Sequence, residues 1–275
     1  MNIDMNYWKQ SKQNIYVAAH RGWKTKYPEN TIPAFRAAME LGVDQLECDV
    51  RVTLDGELVV IHDATVDRTT NGMGKVCEKT FAELRALDAG GYMGEEFRGT
   101  QIPTFRELME LVKDHPTITL DVELKEYPTQ PGNEHRALEV CDRVLKMIDE
   151  YGFTDRVVIN SWSNALNEYV FKTYGKKYRQ HVYYPVSVMH SGKATIDPYS
   201  YAYCTCMFRA VYSDVNIAER WEFDRMEALG AQPWAGADVK DEHGVDLAIA
   251  AGAVLITCNN PDEILAILRK KGYHD

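Results

Sequence analysis

NIYVAAHRGWKTKYPENTIPAFRAAMELG, residues 14–42, reads as one complete strand-and-helix unit. The short β-branched run NIYVAA predicts a buried strand. Asn30-Thr31 ahead of Pro33 then marks a helix start, and Gly42 supplies the positive φ that closes it. The polar His20-Arg21 pair sits between the two, where a chain leaving its core meets water or a ligand.

The same alternation recurs along the chain. The apolar runs VDQLECDV, TITLDVEL, RVVIN, QHVYY, AYCTCMF, AQPWAG and AVLIT follow the first one, most of them succeeded by an amphipathic stretch such as EHRALEVCDRVLKMIDEYG or DEILAILRKKG. Eight candidate parallel strands separated by helical patterns predict an α/β fold, a closed (β/α)8 TIM barrel rather than an open sheet. We expect one domain over residues 1–275. Residues 51 to about 102 break the rhythm: they hold the Asp55-Gly56 turn and the clusters NGMG and DAGGYMG but no long helix. They read as a small insertion after the second strand, ahead of its helix IPTFRELMELVKD.

Composition narrows the function. The 275 residues are 45% hydrophobic and 26% charged, enough for a sizeable core, and carry a net charge of −10 with no Lys/Arg-rich block. Nucleic acid is therefore an unsuitable partner, and an anionic substrate would need local cations or a metal to reverse the field. Residues 1–19 lack a basic and apolar leader pattern and no run is long enough to span a bilayer, so a soluble cytoplasmic protein is expected. Six cysteines without paired C-x-x-C motifs read as free thiols, and Cys204-x-Cys206 as packing.

Residues two apart on a strand share a face, so Glu47 and Asp49 point one way, as do Asp121, Glu123 and Lys125. Inward carboxylates at strand ends are costly unless they bind something. Glu47, Asp49 and Glu123 suit a hard divalent cation, Mg2+ or Ca2+; for Glu47-x-Asp49 alone, ion pairs with Arg and Lys serve as well. A hairpin turning at Asp55-Gly56 would bring His62 level with Asp49, and His20 ends the first strand on the same barrel face. Two histidines beside a carboxylate-bound metal, with Arg21 and Lys125 as cations, compose a phosphodiester site.

At this point HRG (20–22), PENT (28–31), Glu47-x-Asp49-Val50, Thr53-x-Asp55-Gly56, His62-Asp63, DRTTNGMGKV, LDAG, IPTFRE and Glu123-Leu124-Lys125 are, in order and spacing, similar to the glycerophosphodiester phosphodiesterase family. The likeness continues more weakly through INSW (159–162), Trp234 and TCNNPDEIL. It implies a distorted TIM barrel and Mg2+- or Ca2+-dependent cleavage of a small-molecule glycerophosphodiester to glycerol 3-phosphate and an alcohol. By matching positions, Glu47, Asp49 and Glu123 would hold the metal and Arg21 and Lys125 the phosphate. His20 would be the base that activates a water or a neighbouring substrate hydroxyl, and His62 the acid that protonates the leaving alkoxide, though the two roles are exchangeable.

The chain departs from the family pattern at Cys258, where Asp is usual and where altered packing or altered hydrogen bonding behind the site, rather than lost activity, is expected, and at Ala235, where Thr is common. Trp162 and Trp234, at strand ends, are candidates to line the pocket. Tyr178, Tyr183, Tyr184, Tyr199, Tyr201, Tyr203 and Tyr212 lie in a stretch that follows the pattern poorly, and read first as core or surface. Two rival functions remain at this level: phospholipase D-like cleavage of lysophospholipids, for which no basic amphipathic helix is seen, and a non-catalytic binding barrel, against which all seven site positions hold competent residues.

Overall fold

The computed structural model describes residues 7–209 and 215–275; Tyr212 lies outside them. Its strands and helices run β1 (Tyr16–His20), α1 (Ile32–Leu41), β2 (Gln45–Val52), β3 (Leu58–Val60), α2 (Phe81–Arg85), α3 (Phe105–Val112), β4 (Thr119–Leu124), α4 (Glu134–Glu150), β5 (Val157–Asn160), α5 (Asn164–Tyr174), β6 (Arg179–Tyr184), β7 (Cys204–Met207), α6 (Arg220–Ala228), β8 (Gln232–Ala235), α7 (Glu242–Ala251), β9 (Leu255–Cys258) and α8 (Pro261–Lys271). Eight strands are parallel neighbours in the order β1, β2, β4, β5, β6, β7, β8, β9, and β9 pairs back with β1 to close the barrel. The expected (β/α)8 architecture is thus present. The β6–β7 crossover has only two short 3-10 turns, Val186–Val188 and Pro198–Ser200, in place of a helix, which is why its sequence breaks the pattern.

Strand parity sets what faces inward. On β1, Val17 and Ala19 pack outward under the helices, whereas Tyr16 and Ala18 fill the barrel with Val158, Cys204, Trp234 and Leu255. Trp8 joins this inner cluster, and its indole Nε1 donates to the Asp155 carbonyl at 2.7 Å, closing the barrel at the N-terminal ends of the strands. Ligand access is left to the opposite, C-terminal face.

The β2–β3 hairpin differs from expectation by one residue. A two-residue turn at Asp55-Gly56 would pair Asp49 with His62, but Val50 lies opposite Val60 and Val52 opposite Leu58. The loop is three residues, 54–56, closed by Thr53 N–H to the Glu57 carbonyl at 3.0 Å, so Asp49 faces Ile61. His62 still reaches the barrel mouth because β3 ends at Val60, and Arg51 Nε donates to the His62 carbonyl at 2.9 Å. Beyond the hairpin, α2 and the apolar cluster around Val59, Ile61, Val66 and Leu84 give the insertion its own small core. The six cysteines are free thiols, and among the described residues no helix is long and apolar enough to cross a membrane.

The C-terminus is tied to the start of the barrel. His274 Nε2 meets Asp44 Oδ2 at 2.9 Å and its Nδ1 meets the Asp275 carbonyl at 2.8 Å, while Asp44 also accepts from Val17 N–H at 2.8 Å. Burial disfavours the imidazolium, but Asp44 outweighs it and raises the His274 pKa above its ordinary 6.5. A raised folded-state pKa contributes stability that is full below the unfolded value and is lost as pH rises through the folded one. The midpoint difference between wild type and His274→Ala, measured by thermal melts from pH 5.5 to 9, is expected to be largest below pH 6.5 and to shrink above it; a difference independent of pH would remove the charged pair from the account.

Candidate active site

Register brings the carboxylates together. Because β2 and β4 pair with Glu47 opposite Asp121 and Asp49 opposite Glu123, four acidic side chains share one end of the barrel. All four are buried. Ligand oxygens of Glu47, Asp49 and Glu123 lie within 4.8 Å of one another, a grouping fit for a metal ion. Lys125 Nζ sits 2.5 Å from Glu123 Oε1 and 3.1 Å from Asp49 Oδ1, and Arg21 Nε is 3.3 Å from Asp49 Oδ2.

Two cations do not neutralise four carboxylates. Burial, then the neighbouring Asp49 and Glu123, push the Glu47 carboxyl well above its ordinary range, and burial raises Glu123 as well. Burial opposes ionisation of Asp49 too, but Lys125 and Arg21 hold its carboxyl below the usual range. The acidic pair raises Lys125 in turn, against the effect of its own burial. Asp49 Oδ1, although ion-paired with Lys125, accepts no hydrogen bond within the protein. This surplus of buried hard oxygen donors is what a divalent cation would satisfy.

The turn after β1 is shaped to serve these carboxylates. Arg21 and Asn30 both adopt left-handed backbone, φ 60° and 57°. That geometry lets Arg21 N–H donate to Glu47 Oε2 at 2.9 Å and Asn30 Nδ2 to Asp49 Oδ2 at 2.7 Å. Gly22, at φ 79°, lies so close to α1 that a Cβ there would stand 2.7 Å from the Ala34 carbonyl carbon. Strain concentrated in one turn is characteristic of functional sites.

Each candidate proton carrier has one ring nitrogen fixed. His20 Nδ1 meets Asn259 Oδ1 at 2.7 Å and His62 Nδ1 meets Asp63 Oδ1 at 2.6 Å, so each Nε2 is left for the cavity. Burial, with Arg21 and Lys24, pushes His20 down to about 3; its imidazole is neutral at pH 7. Burial lowers His62 as well, against the pull of Asp49 and Asp63. Arg51 supports both sides of the mouth, donating to the His62 carbonyl at 2.9 Å and the Lys125 carbonyl at 3.2 Å.

A cavity of about 390 Å3 opens at this face. It brings together His20, Arg21, Glu47, His62, Glu123 and Lys125, with Asp49 directly behind them. Trp162 lines it, stacked on Tyr183 with centroids 3.9 Å apart. Trp234 does not: it points into the sealed barrel below, against His181, with centroids 5.0 Å apart. Its parity on β8 follows Leu255 and Cys204 in the inner cluster, one pleat short of the mouth. Cys258 is buried in the outer core beneath the helices, away from the cavity. Of the tyrosines, Tyr183 is part of the wall and Tyr178, Tyr184, Tyr199 and Tyr201 are core.

Asn160, His181 and Asn259, and the contact of Asn30 with Asp49, escaped the sequence reading. Asn160 carries a signal that parity could have found, since it ends the apolar strand β5, and His181 is the polar residue paired beside it in the middle of β6; Asn30 and Asn259 act through loop conformations that no periodicity encodes.

Residues 20–232 match the model of the glycerophosphoryl diester phosphodiesterase family. The chain is 36% identical over 259 residues to a glycerophosphodiester phosphodiesterase of Caldanaerobacter subterraneus subsp. tengcongensis, covering 93% of this chain and 98% of that one. It is 38% identical over 149 residues to one from Bacillus altitudinis, 54% and 58% of the two chains. Among solved structures, the fold is similar to that of an Oleispira antarctica phosphodiesterase in complex with the product sn-glycerol-3-phosphate, with TM-score 0.73 and 21% identity over 92% of this chain and 96% of that one. It is also similar to a glycerophosphodiester phosphodiesterase from Agrobacterium tumefaciens, with TM-score 0.70 and 21% identity over 92% and 99%.

The contrast between the two tryptophans is testable. Trp234→Ala is expected to cost about 3–5 kcal/mol of stability in chemical denaturation, the usual range for a buried large aromatic, while Trp162→Ala leaves stability nearer wild type and raises KM. A Trp234→Ala protein as stable as wild type would contradict its place in the barrel core.

Proposed function

The chain belongs to the glycerophosphoryl diester phosphodiesterase family and is a glycerophosphodiester phosphodiesterase; from that premise we propose that it hydrolyses glycerophosphodiesters to glycerol 3-phosphate and an alcohol by metal-assisted histidine acid–base catalysis. The observation that carries this reading is the surplus of buried carboxylate at Glu47, Asp49 and Glu123, packed within 4.8 Å beside two histidines whose Nδ1 atoms are held by Asn259 and Asp63, with His20 Nε2 3.9 Å from Glu47 Oε2.

Glu47, Asp49 and Glu123 would hold Mg2+ or Ca2+, all three offering the hard oxygens these ions prefer. When bound, such an ion supplies charge neutralisation for the phosphate and for the developing negative charge. Arg21 and Lys125 grip the phosphate oxygens from the cavity wall, Lys125 as a compact charge and Arg21 as a planar donor. Both are already oriented by the carboxylates they pair with, so little reorganisation accompanies binding.

His20, neutral at pH 7, takes the proton of the attacking hydroxyl, whether of water or of the substrate's neighbouring carbon. The new P–O bond forms as the bond to the alcohol breaks. His62, its ring held by Asp63 at Nδ1, delivers its proton to the departing alkoxide oxygen. With water as nucleophile the products are glycerol 3-phosphate and the alcohol, and the proton gained at His20 and the one lost from His62 are exchanged with solvent at the open mouth. With the neighbouring hydroxyl as nucleophile the product is a cyclic phosphate, which a water then opens, His62 taking the water's proton and His20 returning its own to the departing ring oxygen, so that both histidines regain their starting states.

Release of glycerol 3-phosphate from glycerophosphocholine and glycerophosphoethanolamine tests this directly. Activity is expected to vanish with EDTA and return with Mg2+ or Ca2+, and EDTA-resistant activity would remove the metal. His20→Ala and His62→Ala are each expected to lower kcat by at least ~100-fold, the low end of general acid–base contributions, with melting temperature little changed. Either variant retaining wild-type kcat would take that histidine out of the mechanism.

A further inference from the structure

Below the two histidines, the cavity wall holds polar atoms that the catalytic account does not use. Register places Glu123 beside Asn160 and Asn160 beside His181 on β4, β5 and β6. Asp121, one pleat lower, meets His181 Nδ1 through Oδ2 at 2.7 Å. Asp121, Asn160 and His181 line the cavity yet are almost wholly buried, at 1%, 2% and 3% exposure. Asp121 Oδ1, Asn160 Oδ1 and His181 Nε2 have no hydrogen-bond partner in the protein.

Such atoms are rarely left unsatisfied in a folded protein. A second metal does not explain them: among the described residues the only acidic or histidine group close enough to hold an ion is Glu47, Asp49 and Glu123. The Asp121 contact instead fixes the His181 ring. With a neutral ring, Nδ1–H donates to Asp121 and Nε2 is an acceptor; with an imidazolium, Nε2 donates. A hydroxyl group answers either state, because it both donates and accepts. The two side-chain oxygens need donors, which hydroxyls also supply. An alkyl group in the same place would leave all three atoms unpaired.

We propose that Asn160 and His181, the latter oriented by Asp121, form a hydroxyl-reading subsite at the depth of the cavity that selects the glycerol half of the substrate and leaves the alcohol half toward the mouth. This rests on the reading of the site as one that cleaves glycerophosphodiesters. His181 here is a specificity-determining residue and Asp121 a positioning residue. The wall above them, a partly open Trp162 stacked on a buried Tyr183, is mainly aromatic, and the Tyr183 hydroxyl is already engaged by the Asn160 side chain, so the wall makes no equivalent demand on the departing alcohol.

The test compares glycerophosphocholine with propyl phosphocholine, which keeps the chain length and the phosphate but lacks both glycerol hydroxyls. Wild type is expected to prefer the glycerol ester by at least tenfold in kcat/KM, as sites built to pair a hydroxyl reject analogues without it. His181→Phe and Asn160→Ala should each reduce that preference at least fivefold, mainly through KM for the glycerol ester, and weaken inhibition by sn-glycerol 3-phosphate while leaving inhibition by inorganic phosphate within about twofold. Because propyl phosphocholine also lacks the neighbouring hydroxyl that serves as nucleophile on one route, the inhibitor pair sn-glycerol 3-phosphate against propyl phosphate carries the binding test, and if a variant fails to fold, the conservative His181→Gln and Asn160→Asp variants replace it in that comparison. Equal kcat/KM for the two esters, or equal loss of both inhibitors in a folded variant, would overturn the subsite. Failure of wild type to cleave either ester would instead overturn the underlying reading of the site.

Discussion

Everything at the mouth of this barrel follows from the cost of burying four carboxylates side by side. The parallel register of β2 and β4 sets Glu47 against Asp121 and Asp49 against Glu123, and an interior of low dielectric makes such like charges expensive. Lys125 and Arg21 relieve part of that cost, and Asn30 and the Arg21 backbone N–H relieve more. What remains appears as the raised Glu47 and Glu123 carboxyls. The barrel carries this burden at one end because the other is sealed by apolar packing around Trp8 and Trp234, so stability and chemistry occupy separate layers of the same strands.

The same constraint accounts for the turn after β1. Positive φ at Arg21 and Asn30 and the contact of Gly22 with α1 are unfavourable taken singly. Together they turn backbone and side-chain donors toward Glu47 and Asp49, so local strain is offset by charge-assisted hydrogen bonds. The supporting residues of the histidines work in the same way. Asn259 and Asp63 each occupy an Nδ1, which leaves Nε2 as the reactive atom, and Arg51 ties the backbone of His62 to that of Lys125. Arg51 is itself paired with Glu126 at 3.8 Å, which also faces Arg136 at 3.7 Å, so the geometry of the mouth is anchored in a network outside the cavity.

On its other side the cavity is asymmetric. β4 to β6 present polar, buried atoms at depth, while the ends of β5 to β7 and the loops beyond them present Trp162, Tyr183 and Phe208 in a roughly parallel stack. The missing helix between β6 and β7 is part of this arrangement: an irregular crossover packs Tyr184, Tyr199 and Tyr201 into the core instead. A site with a polar floor, a charged wall and an aromatic wall treats the two halves of a phosphodiester differently.

The sequence alone determined the alternation of strand and helix, the count of eight parallel strands, the insertion after the second, and the grouping of Glu47, Asp49, Glu123 and Lys125. Periodicity of two along a strand is a local property, and it survives folding unchanged. The hairpin and the end of the first strand placed His20 and His62 on that same face, and family resemblance added their roles as base and acid. Only the tertiary structure decided how far each pleat lies from the mouth, and so why Trp162 lines the cavity and Trp234 the sealed core, two residues that look alike at their strand ends. It also decided the hairpin register, which turned on whether the loop at Asp55 held two residues or three, and the recruitment of Asn30, Asn160, His181 and Asn259. Those contacts depend on the closure of the barrel and on left-handed turns, which bring residues far apart in the chain within hydrogen-bonding distance and leave no periodic trace in the sequence.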